Sequence, residues 1–180
     1  MRFFYNMNTC IGCGSCQVAC KDCHGLLPGE FFRRVSLQTI STDAGPRQIP
    51  FSISCNHCDH PACVAVCPTG AMRQTEDGLV LHDDGPCIGC GRCYWACPYG
   101  EVSLSLTRGT AQKCDTCRSL REQGLPPACV AACPTGSLRF GALPETEGER
   151  PDLPFLPDVE ITEPSLRIQK SKAIREARHD

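Results

Sequence analysis

The run Cys87-Ile-Gly-Cys-Gly-Arg-Cys-Tyr-Trp-Ala-Cys-Pro98 places four cysteines within eleven residues and ends at a proline. Thiols only two or three residues apart along one chain cannot form several disulfides without strain. The spacing C-x2-C-x2-C-x3-C-P is instead that of bacterial ferredoxins, in which cysteine thiolates bind the irons of a cluster. In ferredoxins with two clusters, the fourth cysteine of each run binds the other cluster. The run therefore predicts a partner run elsewhere in the chain.

Sixteen of the 17 cysteines fall into four groups of four. In chain order the groups are Cys10, Cys13, Cys16, Cys20; Cys55, Cys58, Cys63, Cys67; Cys87, Cys90, Cys93, Cys97; and Cys114, Cys117, Cys129, Cys133. At four thiolates per cluster, this count predicts four [4Fe–4S] clusters and leaves Cys23 over.

Zinc is the alternative metal, because C-x2-C pairs also build tetrahedral zinc sites. A zinc site joins two separated pairs, whereas here a third cysteine follows at short range and three of the four groups end before a proline. We therefore favour iron and sulfide over zinc. Disulfides are favoured even less, since an odd number of cysteines at metal-ligand spacing is typical of a reduced, metal-filled chain in the cytoplasm.

The second and third groups are predicted to form an inner ferredoxin-like unit, residues 51–100, and the first and fourth an outer unit, residues 1–50 and 101–140. We expect the two units to be related by approximate two-fold symmetry. Crossed ligation then assigns Cys10, Cys13, Cys16 and Cys133 to cluster 1; Cys55, Cys58, Cys63 and Cys97 to cluster 2; Cys87, Cys90, Cys93 and Cys67 to cluster 3; and Cys114, Cys117, Cys129 and Cys20 to cluster 4. Two clusters that share a pair of loops would lie close enough for an electron to pass between them.

The segments between the groups predict a loop-rich α+β fold. Short alternating runs, typical of strands, cover residues 35–40, 51–54, 71–81, 102–106 and 137–140, and the third run breaks at 76–78 as a hairpin does. About one turn of helix is expected at residues 64–66, 94–96 and 130–132, where a proline ends each turn. With 180 residues and 6% aromatic residues, the chain cannot bury a large apolar core, so without iron we expect it to be largely unfolded or loose.

Small and basic residues beside the cysteines are candidates for tuning the clusters. Glycines between the cysteines, Gly12, Gly14, Gly89 and Gly91, are expected to let backbone N–H groups point at the sulfurs and favour the reduced form. Lys21, Arg92 and Lys113 could add to this effect, although solvated side chains are the favoured interpretation. The pair Arg33-Arg34 follows the first cysteine group, so we interpret it as surface or interface charge and not as a twin-arginine export signal.

The last segment, residues 141–180, is rich in proline and acidic residues and then becomes basic. Composition alone describes it as a disordered, interaction-prone tail. The other interpretation is an extended arm laid over a partner subunit. The sequence leaves both open.

Several classes of function lack support in the sequence. No run approaches 18 apolar residues, and residues 1–8 lack the basic and apolar regions of an export signal. We find no nucleophile–base pair, no phosphate-binding loop and no basic stripe for nucleic acid, and therefore no catalytic site of the chain's own. His57 and His60 lie inside the second cysteine group, where we interpret them as packing or hydrogen-bonding residues.

Four motifs together carry a family resemblance: Ser52-Ile-Ser-Cys-Asn-His-Cys58, Cys87-Ile-Gly-Cys90, Ala96-Cys-Pro-Tyr-Gly100 and Lys113-Cys-Asp-Thr-Cys117. With the order of the four groups, they make the chain similar to the iron–sulfur subunits of dimethyl sulfoxide reductase-type molybdopterin oxidoreductases. The resemblance covers nearly all of residues 3–140, and Thr162-Glu-Pro-Ser-Leu-Arg-Ile168 is similar to that family's terminal arm.

The resemblance implies an electron-transfer subunit that connects a large catalytic subunit, with a molybdopterin of the bis-guanine dinucleotide type, to a quinone-reactive membrane anchor in anaerobic respiration. The outer clusters would face the catalytic subunit and the inner clusters the anchor. It leaves the terminal substrate, the direction of electron flow and the side of the membrane open, because such a subunit can stay cytoplasmic or be exported with a partner.

Departures from the family pattern refine this expectation. Cys93 stands where nitrate reductase subunits carry tryptophan, which implies four four-iron clusters and no three-iron cluster. Cys23 stands where relatives commonly carry an aromatic residue, and we expect it to be a buried spare thiol. The alternative function is a freestanding polyferredoxin or hydrogenase-linked carrier, against which the long final segment argues.

Overall fold

The computed structural model describes residues 1–144 and 146–177, so that Glu145 and residues 178–180 of the predicted tail lie outside the described residues. The strands are β1 Arg2–Asn6, β2 Arg33–Thr42, β3 Gly45–Ser54, β4 Met72–Gln74, β5 Val80–His82, β6 Ser103–Leu104, β7 Ala111–Gln112, β8 Leu138–Gly141 and β9 Arg167–Gln169. The α-helices are α1 Ser15–His24, α2 Ala62–Ala65, α3 Arg92–Ala96, α4 Arg118–Glu122, α5 Ala128–Ala131 and α6 Lys172–Arg175, with a 3-10 turn at Val159–Ile161. The predicted small, loop-rich mixture of helices and strands is confirmed.

Small antiparallel sheets hold the loops together. Strands β2 and β3, each ten residues long, form a hairpin that turns between Thr42 and Gly45. Strands β4 and β5 pair from Met72 and His82 to Gln74 and Val80, which confirms the hairpin predicted within 71–81. The predicted strand runs at 35–40 and 51–54 are also present, but as the two arms of one longer hairpin.

The helices confirm the single turns expected before the last cysteine of three groups, and α1, α4 and α6 were not predicted. Helices α2, α3 and α5 are four or five residues long and stop beside a Cys-Pro pair. Lys21 stands where the other groups have proline, so α1 continues for ten residues and ends only at Gly25, whose φ of 57° is left-handed. A proline excludes the preceding cysteine from helical geometry, and its absence after Cys20 allows the longer helix.

Two pairs of segments repeat both in sequence and in local structure. Residues 61–70 and 127–136 are identical except at Val66 and Ala132, and each contains a four-residue helix followed by a turn. Residues 10–16 and 87–93 differ only at Ser15 and Arg92, and in each a left-handed glycine precedes a helix. This repetition is the kind of pattern that two ferredoxin-like units require, although their symmetry stays a prediction.

The final segment packs onto the chain's own outer part. Strand β9 pairs in parallel with β1, and β8 pairs antiparallel with β1 on the other side, so the first strand lies between two late strands. Leu153, Leu166, Ile168 and Ile174 are buried in the same apolar cluster as Tyr5. The disordered interpretation is therefore wrong for residues 146–177, because these apolar side chains supply enough burial to order them.

This packing predicts how two isoleucines of the final segment differ. Ile168 is 0% exposed and Ile161 is 59% exposed. We expect Ile168→Ala to lower the free energy of unfolding by about 2–5 kcal/mol, because it leaves a cavity beneath β1. Ile161→Ala is the matched control and should change it by no more than about 0.5 kcal/mol. Anaerobic denaturant titration of the iron-loaded protein, followed by circular dichroism, measures both, and equal effects would contradict the packing of β9.

Candidate iron–sulfur sites

Thiols from distant parts of the chain line one cavity near β1. Cys10, Cys13 and Cys16 of the first group share this cavity with Cys133, the last cysteine of the fourth group. Helix α1 brings Cys16 and the turn after α5 brings Cys133, and these two helices pack against each other. The cavity thus brings together the four thiols predicted to bind cluster 1.

A second cavity lies between the second and third groups. Cys55, Cys58 and Cys63 line it together with Cys97, the last cysteine of the third group. Thr162 of the final segment also lines this cavity and is buried, and its hydroxyl donates to the Tyr99 hydroxyl at 3.3 Å. Sequence reasoning missed Thr162, because it lies about 100 residues from Cys58 with no cysteine beside it.

The other two predicted ligand sets are seen through the electrostatic interactions between their thiols. Cys93 interacts with Cys67 and Cys87. Cys114 interacts with Cys129 and Cys20, and Cys117 interacts with Cys129. Cys90 is exposed at the surface. These interactions join members of the predicted sets 3 and 4, although Cys117 also interacts with Cys23 and Cys114 with Cys55. The ligand assignment itself stays a prediction.

The first C-x2-C loop of each of the four cysteine groups has the same backbone feature. Their third residues, Gly12, His57, Gly89 and Thr116, all have a left-handed backbone, with φ of 69°, 44°, 65° and 64°. Histidine and threonine adopt this conformation rarely and at a cost of about 1–3 kcal/mol, so surrounding structure must hold them there. The recurrence indicates that a left-handed third residue is what turns the two flanking thiols of each loop toward the same side.

Backbone N–H groups point at several of the thiols. Met72, Glu101 and Thr116 donate their N–H groups to Cys67, Cys97 and Cys114, each at an N···Sγ distance of 3.4 Å. Such bonds stabilise a thiolate, and the thiolate is the form that binds iron. Thiols in sets of four, with N–H donors at one thiol of sets 2, 3 and 4, fit the chemistry of a [4Fe–4S] cluster.

Burial raises the pKa of some thiols, and hydrogen bonds lower the pKa of others. Partial burial raises the pKa of Cys67, but the N–H groups of Met72 and Thr69 together lower it below the usual value. Burial also raises the pKa of Cys133, but hydrogen bonds, chiefly from the Thr135 hydroxyl, lower it below the usual value. Burial raises the pKa of Cys63 to about 12, so this thiol keeps its proton until a metal displaces it.

Arg33 corrects the interpretation of the Arg33-Arg34 pair as surface charge. Its side chain is buried, with the residue 3% exposed, and donates to Ser52 Oγ at 3.1 Å and Ser54 Oγ at 2.8 Å. Arg34 points the opposite way, and its exposed side chain forms an ion pair with the buried carboxylate of Glu101. Successive side chains alternate across a strand, so only one of two adjacent arginines can face outward.

Lys113 corrects the preference for solvated basic residues beside the cysteines. It is 4% exposed, and its Nζ donates to the carbonyl oxygens of Val80 and Cys114. Lys21, in contrast, lies at an exposed edge, where it donates to the carbonyls of Leu27 and Glu30. The only sequence signal at Lys113 is its position next to a cysteine. Lys21 also stands next to a cysteine, so this signal does not distinguish the buried lysine from the other one.

The histidines of the second group behave as packing and hydrogen-bonding residues, as predicted. His57 is buried and its Nδ1 accepts the Val80 N–H at 3.1 Å. Burial, together with the charge of Lys113, holds the pKa of His57 well below its usual value, so the ring is neutral. His60 is exposed and pairs with Glu163 at 3.0 Å.

His24 and Cys23, at the end of α1, lie near the fourth cysteine group. His24 Nε2 lies 2.9 Å from Asp115 Oδ1, a contact that no sequence signal indicated. Burial raises the pKa of Asp115, but hydrogen bonds from His24 and from the Cys117 N–H outweigh it and hold the pKa at about 2. The expected burial of Cys23 is wrong, since the extra turn of α1 carries this thiol to the surface.

A search of the described helices for a membrane span finds none that is both long enough and apolar enough to cross a bilayer.

Comparison with known proteins agrees with the chemistry of these sites. Residues 47–143 match the family model of a 4Fe-4S dicluster domain, and residues 1–22 match that of a 4Fe-4S binding domain. A chain of the anaerobic dimethyl sulfoxide reductase of Escherichia coli (strain K12) is 41% identical over 178 residues, or 93% of this chain and 87% of that protein.

Two further relatives have names that refer to other reactions. The thiosulfate reductase electron transfer subunit PhsB of Salmonella typhi is 41% identical over 78% of this chain and 75% of its own length. A sulfite dehydrogenase subunit of Allochromatium vinosum is 36% identical over 80% of this chain and 69% of its own length. The chain therefore carries [4Fe–4S] clusters and is an iron–sulfur protein of electron transport.

The left-handed loops yield a prediction at Gly89. A Cβ atom there would lie 2.2 Å from the Gly109 carbonyl oxygen, whereas at Gly91, with φ of 72°, its closest neighbour is Leu104 Cδ1 at 3.7 Å. We expect Gly89→Ala to displace its loop and lower the iron content and thermal stability of the protein, whereas Gly91→Ala bears only the backbone strain. Iron assays and melting temperatures of both variants test this, and similar losses would show that the close backbone contact is unimportant.

Proposed function

Since this chain is a member of the family of iron–sulfur electron-transfer subunits to which the anaerobic dimethyl sulfoxide reductase contributes a chain, we propose that it carries electrons through four [4Fe–4S] clusters within a reductase complex. Its partners would be a molybdopterin catalytic subunit and a quinone-reactive membrane anchor. The relatives' names, which are those of a reductase chain and of an electron transfer subunit, support assembly with other subunits.

The observation that carries this proposal is the sharing of one cavity by Cys10, Cys13, Cys16 and Cys133. Cys133 lies 117 residues beyond Cys16, so the cavity joins the two ends of the cysteine-rich region. Crossed ligation between distant groups is the arrangement of two-cluster ferredoxins. The four predicted ligand sets are proposed on this basis, and each bound cluster would supply one-electron chemistry.

Contacts between the ligand sets support an order for the four sites. Cys16 of set 1 interacts electrostatically with Cys129 of set 4. Cys114 of set 4 interacts with Cys55 of set 2. Cys63 of set 2 and Cys93 of set 3 lie in one apolar cluster. The proposed order is therefore 1, 4, 2, 3, with the outer sites at one end and the inner sites at the other.

The proposed division into units follows from this order. Residues 1–50 and 101–140 would form the outer unit facing the catalytic subunit, and residues 51–100 the inner unit facing the anchor. The final segment, residues 141–180, would contact a partner subunit, and its strand β9 pairs with β1 of the chain itself. A freestanding polyferredoxin or hydrogenase-linked carrier is less favoured, because the compared relatives have names of reductase and dehydrogenase subunits.

The cluster count predicts the metal content of the protein and of two cysteine variants. Anaerobically purified protein should contain about 16 iron and 16 sulfide per chain, at four of each per cluster. Cys97→Ala should lose the iron of at least one cluster and the corresponding electron paramagnetic resonance signal. Cys23→Ala, which changes the one cysteine outside the four sets, should keep the full content. Stoichiometric zinc, or equal iron loss in both variants, would contradict the ligand sets.

Assembly is tested by purifying the tagged chain after expression with its neighbouring genes. The proposal predicts that a large polypeptide containing molybdenum and a molybdopterin co-purifies at one copy per chain, together with a membrane polypeptide. Mass spectrometry and molybdenum assay identify both. Iron-loaded protein that elutes alone under these conditions would favour the freestanding carrier instead.

A further inference from the structure

Arg33 brings a buried positive charge to the junction between the predicted ligand sets 1 and 4. Two of its nitrogens are held by Ser52 and Ser54, and its guanidinium carbon lies 4.9 Å from the centre of the Phe3 ring. The guanidinium also interacts electrostatically with Cys16 of set 1 and with Cys114 and Cys129 of set 4. The strand β2, its hairpin partner and β1 thus fix one cation between thiols of two sites.

Lys113 brings a second buried positive charge to the next junction. Its ammonium group is held by the carbonyls of Val80 and Cys114, and it interacts electrostatically with Cys55 of set 2. It also interacts electrostatically with Cys63 of set 2 and with Cys114 of set 4. The nearby His57 ring is neutral, so it neither cancels nor adds to this charge.

Within the described residues, no carboxylate forms an ion pair with either cation. Among residues 1–144 and 146–177, neither Arg33 nor Lys113 forms a salt bridge. Glu101 experiences the charge of Arg33, but its ion pair is with Arg34. In the same described part of the chain, Nε of Arg33 is buried without any hydrogen-bond acceptor. An unpaired buried cation is costly, so a negative group must offset it.

The thiols around each cation are the available negative groups, and as ligands they would belong to anionic clusters. Reduction adds one more electron to such a cluster, and a fixed positive charge nearby stabilises the added charge. The charge and hydrogen bonds around a cluster are among the properties that set its potential. A cation between two sites therefore acts on both.

We propose that Arg33 and Lys113 are buried counter-charges that raise the reduction potentials of the clusters on either side, Arg33 for clusters 1 and 4 and Lys113 for clusters 4 and 2. This inference rests on the ligand sets and the order of sites in the proposed function. Cluster 4 lies beside both cations, and cluster 3 beside neither. The two residues act through the clusters and are positioning residues for electron transfer.

The first test compares Arg33→Gln with Arg34→Gln, a matched control at the adjacent, exposed position. The iron-loaded full chain, with whatever subunits co-purify, is titrated at controlled potential and followed by electron paramagnetic resonance. Signals are assigned to clusters with the single-cysteine variants. At a fixed potential, Arg33→Gln should lower the ratio of reduced to oxidised clusters 1 and 4 at least tenfold, which is about 59 mV for one electron. Arg33→Lys, which keeps the positive charge, should keep most of the wild-type ratio, and Arg34→Gln should leave the ratio unchanged.

The second test uses Lys113→Gln and does not depend on Arg33. It should lower the same ratio for clusters 4 and 2 and leave clusters 1 and 3 unchanged. If Arg33→Gln fails to assemble clusters, Arg33→Lys and Lys113→Gln still decide the question. The inference is overturned if fully loaded variants keep wild-type potentials, or if the shift at cluster 3 equals that at cluster 4. Wild-type protein that lacks about 16 irons would instead contradict the proposed function, before any variant is compared.

Discussion

Inward orientation of cysteine thiols is the constraint on which the rest of this structure depends. The first C-x2-C loop of each cysteine group has its third residue in the left-handed region, and glycine meets this need without cost in only two of these four loops. His57 and Thr116 meet it in the other two, both of them in buried positions. Burial and the Nδ1 bond of His57 to β5 hold the histidine in a conformation that it rarely adopts. Packing of the protein therefore supports the loop geometry, and bound metal would in turn hold the packed elements together.

In the outer part of the chain, the loops that carry the predicted ligands also depend on packing for their position. Strand β1 leads directly into the first cysteine group, and β8 directly follows Cys133 of the same predicted set. Strand β9 then closes the other edge of β1, 26 residues after β8 ends. Late segments thus help to hold the early loops, which carry the predicted ligands, in position. Thr162 extends this arrangement to the inner part, because from the final segment it lines the same cavity as Cys58.

Features with a local cause were predictable from the sequence, and features set by distant contacts were not. Cysteine spacing, the hairpin at Gly78 and the helix stops at Cys-Pro pairs depend on a few adjacent residues. The longer α1 could also have been predicted, since Lys21 replaces proline. The exposure of Cys23 could not, because it depends on how far the helix continues. Strand β9 carries only three residues, and its partner lies more than 160 residues away, so no local periodicity reveals it.

Arg33 and Lys113 were missed for a different reason. Rules for reading burial from sequence place arginine and lysine at the surface because water solvates their charge better than protein atoms do. That reasoning compares water with an apolar interior, and it fails where the interior holds negative charge that the amino-acid composition does not display. The formal net charge of −2 counts every cysteine as neutral. If sixteen thiols bind clusters as we propose, the anionic partner of a buried cation would be the metal site, and basic residues next to cysteines should be judged against that charge.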